Sequence, residues 1–182
     1  MTNRTSEELD AGLAHIVDAP ADDGELRLIV RRPGVDERET LDEGVLDIES
    51  GLEGDTWAAR GNPYSDDGRA EPLAQVTVMN SRAVEVIAGP VDRWPLAGDQ
   101  LYVDLDLSED NLPAGTRLAI GEALIEVTAK PHTGCAKFID RYGRAAQRWV
   151  NSPTGRDLRL RGVNTRVVQR GTIRVGDRVK KV

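Results

Sequence analysis

The sequence predicts a mostly-β chain: a closed or nearly closed barrel with short peripheral helices, β-rich within the α+β class. Three observations predict it. Short segments rich in Val, Ile and Leu recur along the chain, separated by turns drawn from 18 glycines and 9 prolines. Helical periodicity is confined to a few brief stretches, and no regular βαβ alternation runs through the chain. Many short strands joined by tight turns are best accommodated by closure. At 182 residues and 39% hydrophobic, the chain can build one good core, so a single domain is expected: a barrel over 25–182 preceded by a helical extension over 1–24.

Taken in order, Thr5 or Ser6 caps a first helix with Leu9, Leu13, Ile16 and Val17 on one face, ended by the loop 19–24. His15 on that helix reads as a surface histidine, because no ligand-type partner is spaced to join it. Residues 25–32 alternate, with Leu26, Leu28 and Val30 on one side, as a strand does. Pro33-Gly34 turns it. The acidic stretch 38–54 carries only sparse apolar residues and specifies no element. Gly51-Leu52-Glu53-Gly54-Asp55 suggests a tight backbone that either aims Asp55 or is capped by it. The polar segment 60–72 reads as a loop able to act as a lid.

A strand follows over 75–79, then a short helix capped by Asn80 or Ser81 and ending at Gly89. Further strands are expected from 98, over 117–120 and over 123–129. Beyond Cys135, 136–142 and 145–150 read as helix, packing Phe138, Ile139, Tyr142, Trp149 and Val150 as core. Three short strands close the chain over 162–168, 172–175 and 177–182. Barrel closure would set the last strands beside the early ones.

The net charge of −7 hides an asymmetry. Residues 1–129 carry 10 basic and 28 acidic side chains, net −18, whereas 130–182 carry 14 basic and 3 acidic, net +11. The basic third holds the only cysteine. A positive potential there favours a thiolate and attracts an anionic small molecule; simple pairing of acidic with basic segments is the plainer explanation. One cysteine excludes an internal disulfide, no apolar run approaches a membrane span, and no basic-then-apolar leader is visible. A soluble cytoplasmic protein is the expectation.

Lys130-Pro131-His132-Thr133-Gly134-Cys135-Ala136-Lys137 is the stretch richest in chemistry. Pro131 ends the incoming strand and Gly134 frees the backbone, so Cys135 should stand on a turn at a strand end. His132 and Lys137 can hold its sulfur ionised for nucleophilic or sulfur-transfer work; a buried cysteine acting as a small hydrophobe is the rival. One cysteine and two distant histidines do not space a zinc site. No Gly-rich phosphate loop is present. Nucleic acid is an unfavoured partner, since aromatics are 4% of the chain and no recognised motif accompanies the arginines.

The order Gly51-Leu52-Glu53-Gly54-Asp55, Gln75-Val76-Thr77-Val78-Met79, Gly98-Asp99-Gln100-Leu101, Leu118-Ala119-Ile120-Gly121, the Cys135 turn and Gly171-Thr172-Ile173-Arg174-Val175-Gly176-Asp177 resembles the MOSC domain family over roughly residues 25–182. The resemblance implies a MOSC-like β-barrel whose single cysteine, matched by Cys135, carries sulfur or sits against a molybdenum–pterin cofactor as a metal ligand. It also implies reduction of N-hydroxylated compounds or chemistry at C–S bonds, and family annotation adds pyridoxal phosphate, for which the residues themselves show no signal. On this reading Cys135 and His132 are catalytic, with His132 moving protons. Lys130, Lys137, Arg161 and Arg166 hold an anionic ligand, with Asn164, Asp55, Gln75 and Asp99 as further cofactor-binding wall residues. Sulfur would come from a separate cysteine desulfurase. Three departures stand out: Gly98-Asp99-Gln100 where the family often has Gly-Glu-Asn, Gly134-Cys135 where it often has Pro-Cys, and Thr56-Trp57 where a histidine is common. The alternative is a non-catalytic module that binds a phosphorylated or sulfated small molecule.

Overall fold

The computed structural model describes residues 3–62 and 66–182. Eleven strands occur among them: β1 (Gly24–Arg31), β2 (Glu39–Leu41), β3 (Glu43–Asp47), β4 (Gly51–Leu52), β5 (Val76–Asn80), β6 (Leu101–Asp104), β7 (Arg117–Ile120), β8 (Ala123–Val127), β9 (Val163–Gln169), β10 (Gly171–Arg174) and β11 (Arg178–Lys181). Seven of them run in the order β11-β7-β8-β9-β5-β6-β1, and pairing of Gly24 and Glu25 with Val179 and Arg178 closes the ring. The expected closure between the chain's end and its beginning is therefore present. All neighbours are antiparallel except β5 and β6, so the barrel is mixed. β2 extends β1 beyond the ring, and β10-β3-β4 form a separate small sheet.

The barrel is filled by side chains. Leu26, Ile29, Val76, Val78, Leu101, Val103, Ile125, Val167 and Val179 form one buried cluster, which Leu46, Leu52 and Ile173 of the small sheet join. Each such aliphatic contributes about 1.5–3 kcal/mol by leaving water, and truncating one to alanine costs about 2–5 kcal/mol. The alternation in β1 is not the simple one expected. Its register with β6 shifts between Leu26 and Leu28, so Leu26 and Ile29 point into the barrel while Leu28 and Val30 join the outer helical layer. A bulge of this kind moves the buried face by one residue.

The strands β2, β3 and β4 lie in the acidic stretch whose pattern specified nothing. Only Leu46 and Leu52 of the three strands are fully buried apolar residues, too few to show a period.

Helices α1 (Ser6–Ala11), α2 (Leu13–Val17), α3 (Trp57–Arg60), α4 (Ser81–Ala88), α5 (Ala136–Val150) and α6 (Pro153–Asp157) lie outside the ring. Leu9 and Ile16 bring the N-terminal pair against α4 and α5 in a second core that also holds Met79, Tyr102, Phe138, Tyr142 and Trp149. Thr5 caps α1 in a reciprocal box with Glu8, and Gly12 splits the expected single helix in two. Val17 falls outside that core and is 59% exposed. His15 is a surface residue 3.2 Å from Glu85. The Asn80 side chain caps α4 on the amides of Arg82 and Ala83, as expected. α5 bends at Gly143, whose φ of 85° breaks the helical run where the sequence showed a gap between two helical stretches. The loop 60–72 lies partly outside the described residues, and with it its reading as a lid.

Candidate functional site

The segment between β8 and α5 is fixed by two asparagines. Asn164, in β9, donates Nδ2 to the carbonyls of Lys130 (3.1 Å) and Pro131 (3.2 Å). Asn151, just past α5, accepts the Gly134 amide on Oδ1 and donates Nδ2 to the Gly134 carbonyl, both at 3.0 Å. These bonds replace the ladder partners that the segment leaves behind after β8. Cys135 follows in extended conformation as the residue before α5, and it is exposed. The sealed apolar cysteine is thereby excluded.

Cys135 opens onto a cavity of about 690 Å³. Seven basic side chains line it: Arg32, Arg38, Arg60, Lys130, Lys137, Arg141 and Arg161, against one acid, Asp36. Asp36 is already engaged by Arg141 at 3.1 Å and Lys137 at 3.9 Å. His132, Thr133, Phe138 and Asn164 also line it.

Two buried ion pairs underlie this surface. Arg32 binds Asp55 in bidentate fashion, Nε to Oδ2 at 2.7 Å and Nη2 to Oδ1 at 2.8 Å, and gives Nη1 to the Gly98 carbonyl. Arg161 donates Nη1 to Asp99 Oδ2 at 2.5 Å and Nη2 to the Ala97 carbonyl, and it lies over the Phe138 ring. Asp99 Oδ1 stands 3.0 Å from His132 Nε2, off the angle of a hydrogen bond, and neither atom has another partner among the described residues. Arg161 Nε is likewise buried and unpartnered among them.

The charges follow from this packing. Burial alone would raise the Asp99 carboxyl, but Arg161 and His132 overcome it and hold Asp99 well below the usual carboxylate range. His132, 16% exposed at its side chain, is pushed below its ordinary value by burial and by Arg161, against the opposing pull of Asp99. With both shifted downward, the pair rests at neutral pH as a carboxylate beside a neutral imidazole. Arg38 is lowered by burial and then by the neighbouring Arg141 and Arg32; Arg60 by burial and then by Arg32. Neither Arg38 nor Arg60 has a carboxylate within ion-pair distance among the described residues. Asp36 and Asp55 oppose these shifts without reversing them, and an anion among the crowded cations would be stabilised.

The structure brings together Cys135, His132, Lys130, Lys137, Arg161 and Asn164 on one cavity wall. Asp99 and Asp55 lie behind it as counter-ions of Arg161 and Arg32. Asp55 both aims at Arg32 and accepts the Trp57 amide, so each reading of its turn holds. Gln75 sits elsewhere, donating to the Ile48 carbonyl and accepting the Val167 amide, both at 2.7 Å, as a tie between the turn after β3 and strand β9. Arg166 is on the barrel's exterior, paired with Glu126 at 2.6 Å, and does not line the cavity. Sequence reasoning did not single out Arg32, Arg38, Arg60 or Arg141. The first three come from the acidic part of the chain, where net charge conceals them; the one available signal was Arg32, just past the end of β1 and immediately before Pro33-Gly34.

A family model described as the MOSC domain matches residues 68–180. Among solved structures, YuaD from Bacillus subtilis superposes with a TM-score of 0.59 at 15% identity, covering 86% of this chain and 93% of that one. YiiM from Escherichia coli gives 0.55 at 23% identity, covering 87% and 69%. YiiM from Geobacillus stearothermophilus gives 0.53 at 16%, covering 90% and 74%. At such identities the likeness is one of fold. No curated protein sequence matches the chain significantly.

Proposed function

The chain belongs to the MOSC domain family, and on that premise we propose that Cys135 and the arginine-lined cavity form one site for a molybdenum–pterin type of cofactor or for sulfur in transit. The observation that carries this reading is the exposed thiol at the wall of a 690 Å³ cavity with seven basic side chains. The volume lies within the usual span for ligand sites, roughly 300–1,000 Å³. The donors suit the group: guanidiniums for an anionic tail, a thiol for a soft metal or for sulfur.

On this reading Arg38 and Arg60, with Lys130 and Lys137, hold the anionic portion, and Cys135 faces the reactive centre. Arg32 and Arg161 orient the wall, being already committed to Asp55 and Asp99. A carboxylate oxygen facing His132 Nε2 selects the tautomer protonated there, which leaves Nδ1 free to accept a proton. A bound molybdenum centre supplies two-electron chemistry, as reduction of an N-hydroxylated compound requires. In sulfur carriage, the Cys135 thiolate attacks the terminal sulfur of a donor persulfide; the donor's S–S bond breaks, a new one forms on Cys135, and the donor leaves as a thiolate. Pyridoxal phosphate gains no such support: Lys130 and Lys137 are exposed and paired with Glu71 and Asp36, unlike the buried amine that a Schiff base uses.

The test is to incubate the protein with a cysteine desulfurase and cysteine, then digest and weigh the Cys135 peptide. One additional sulfur on Cys135 is expected for carriage, and a pterin retained by the native protein for cofactor binding. If neither is found, while phosphorylated or sulfated ligands bind equally well after Cys135 is alkylated, the non-catalytic module takes its place.

A further inference from the structure

Behind the 130–133 loop lies a second cavity of about 420 Å³. Lys130, Pro131, His132, Thr133 and Asn164 wall it on one side and the Cys135 cavity on the other. The loop is thus a partition with both faces open.

Two arginines supply the far wall of this rear cavity, Arg156 from α6 and Arg159 from the turn after it. Arg156 is exposed, and its side chain makes no hydrogen bond or ion pair among the described residues. Arg159 takes φ of 48°, a left-handed backbone that L side chains rarely adopt. That turn brings its Nη1 onto the Leu112 carbonyl at 2.5 Å and leaves the rest of the guanidinium without a carboxylate partner. Burial lowers Arg159, and Glu109, the acid on the lining, opposes this from beyond ion-pair distance. Gly162, with φ of 101°, leaves the wall no room for a side chain, since a Cβ there would meet the Val78 carbonyl oxygen.

We propose that the rear cavity is a second binding site, separate from the Cys135 cavity, for a small molecule bearing an oxyanion, carboxylate or phosphate, held by Arg156 and Arg159. Two guanidiniums lacking carboxylates match the fork geometry that planar or tetrahedral oxyanions take. Because Pro131 and His132 wall both cavities, a guest at the rear presses on the same loop that presents His132 to the front. The rear site thereby places a second small molecule across a thin wall from the first.

The experiment is an amide NMR titration with inorganic phosphate and, separately, with succinate. Saturable shifts are expected at Gly155, Gly162 and Val163, preserved in the Arg38→Ala/Arg60→Ala double variant. Affinity read at those amides should fall about tenfold or more in Arg156→Ala. Arg159→Gly keeps the turn, relieves its backbone and should lose affinity likewise. Whichever anion binds tighter identifies the class. Shifts confined to the front cavity, no saturable shift with either anion, or affinity unchanged from wild type in both arginine variants would overturn the proposal. None of these outcomes bears on persulfide formation at Cys135.

Discussion

The floor and the rim of the Cys135 cavity are both rich in charge, yet they are built in opposite ways. On the floor, Asp99 with Arg161 and Asp55 with Arg32 are buried ion pairs. At the rim, Cys135 and Lys137 stand in solvent, and Arg38 and Arg60 have no carboxylate partner among the described residues. Charge that is buried and paired with a carboxylate fixes geometry; cations at the rim without a carboxylate are left for a guest. The lesson is that the floor should fail as structure and the rim as binding.

The largest effect expected is on the floor. Asp99→Ala strands Arg161 in a buried position and should cost about 3–5 kcal/mol, read as a lowered denaturation midpoint. Asp55→Ala should act alike through Arg32. If either variant keeps wild-type stability, the floor is not the frame described.

Next comes the rim. Arg38→Ala with Arg60→Ala should weaken binding of an anionic pterin roughly tenfold or more while leaving the denaturation midpoint in place. Calorimetry and a melt on the same sample separate the two effects.

Acid sharpens the comparison further. His132 is held below its unfolded value, so the unfolded chain binds the extra proton first. Its contribution is complete above the unfolded pKa of about 6.5 and is lost as pH falls from there toward the folded value, with a slope of at most about 1.4 kcal/mol per pH unit. Asp99 is shifted the same way, but from about 3.9, so its contribution fades only in stronger acid. Denaturation at pH 7.5 and 5.5 should show a loss in the wild type that His132→Gln lacks.

The smallest effect belongs to an ion cluster outside both regions. Glu126→Gln, which loosens both Arg166 and Arg117 on the barrel surface, should change stability by about 1 kcal/mol or less and leave ligand binding alone.

Much of this was legible in the chain itself. The strands of the ring, the Asn80 cap, the interruption near Gly143 and the display of Cys135 after Pro131 all follow from local residue chemistry. The cavity's other half was not. Arg32, Arg38 and Arg60 reach it only because β1 lies beside β6 and the turn after β4 sets Asp55 against Arg32, contacts between distant segments that spacing along the chain does not encode. Gln75 and Asp99 enter the ligand wall only through the family resemblance; in the fold their partners are internal, the Ile48 carbonyl and the Val167 amide for Gln75, Arg161 and His132 for Asp99. The strands of the acidic stretch stayed hidden because just two of their apolar side chains are fully buried.

The most direct measurement is the alkylation rate of Cys135 by neutral iodoacetamide, followed by mass spectrometry with and without a molybdenum–pterin cofactor. If thiol and arginines serve one guest, cofactor at ten times its Kd should slow the reaction about tenfold, and the Arg38→Ala/Arg60→Ala protein at the same cofactor concentration should lose most of that protection. An alkylation rate that bound cofactor leaves unchanged would contradict the account.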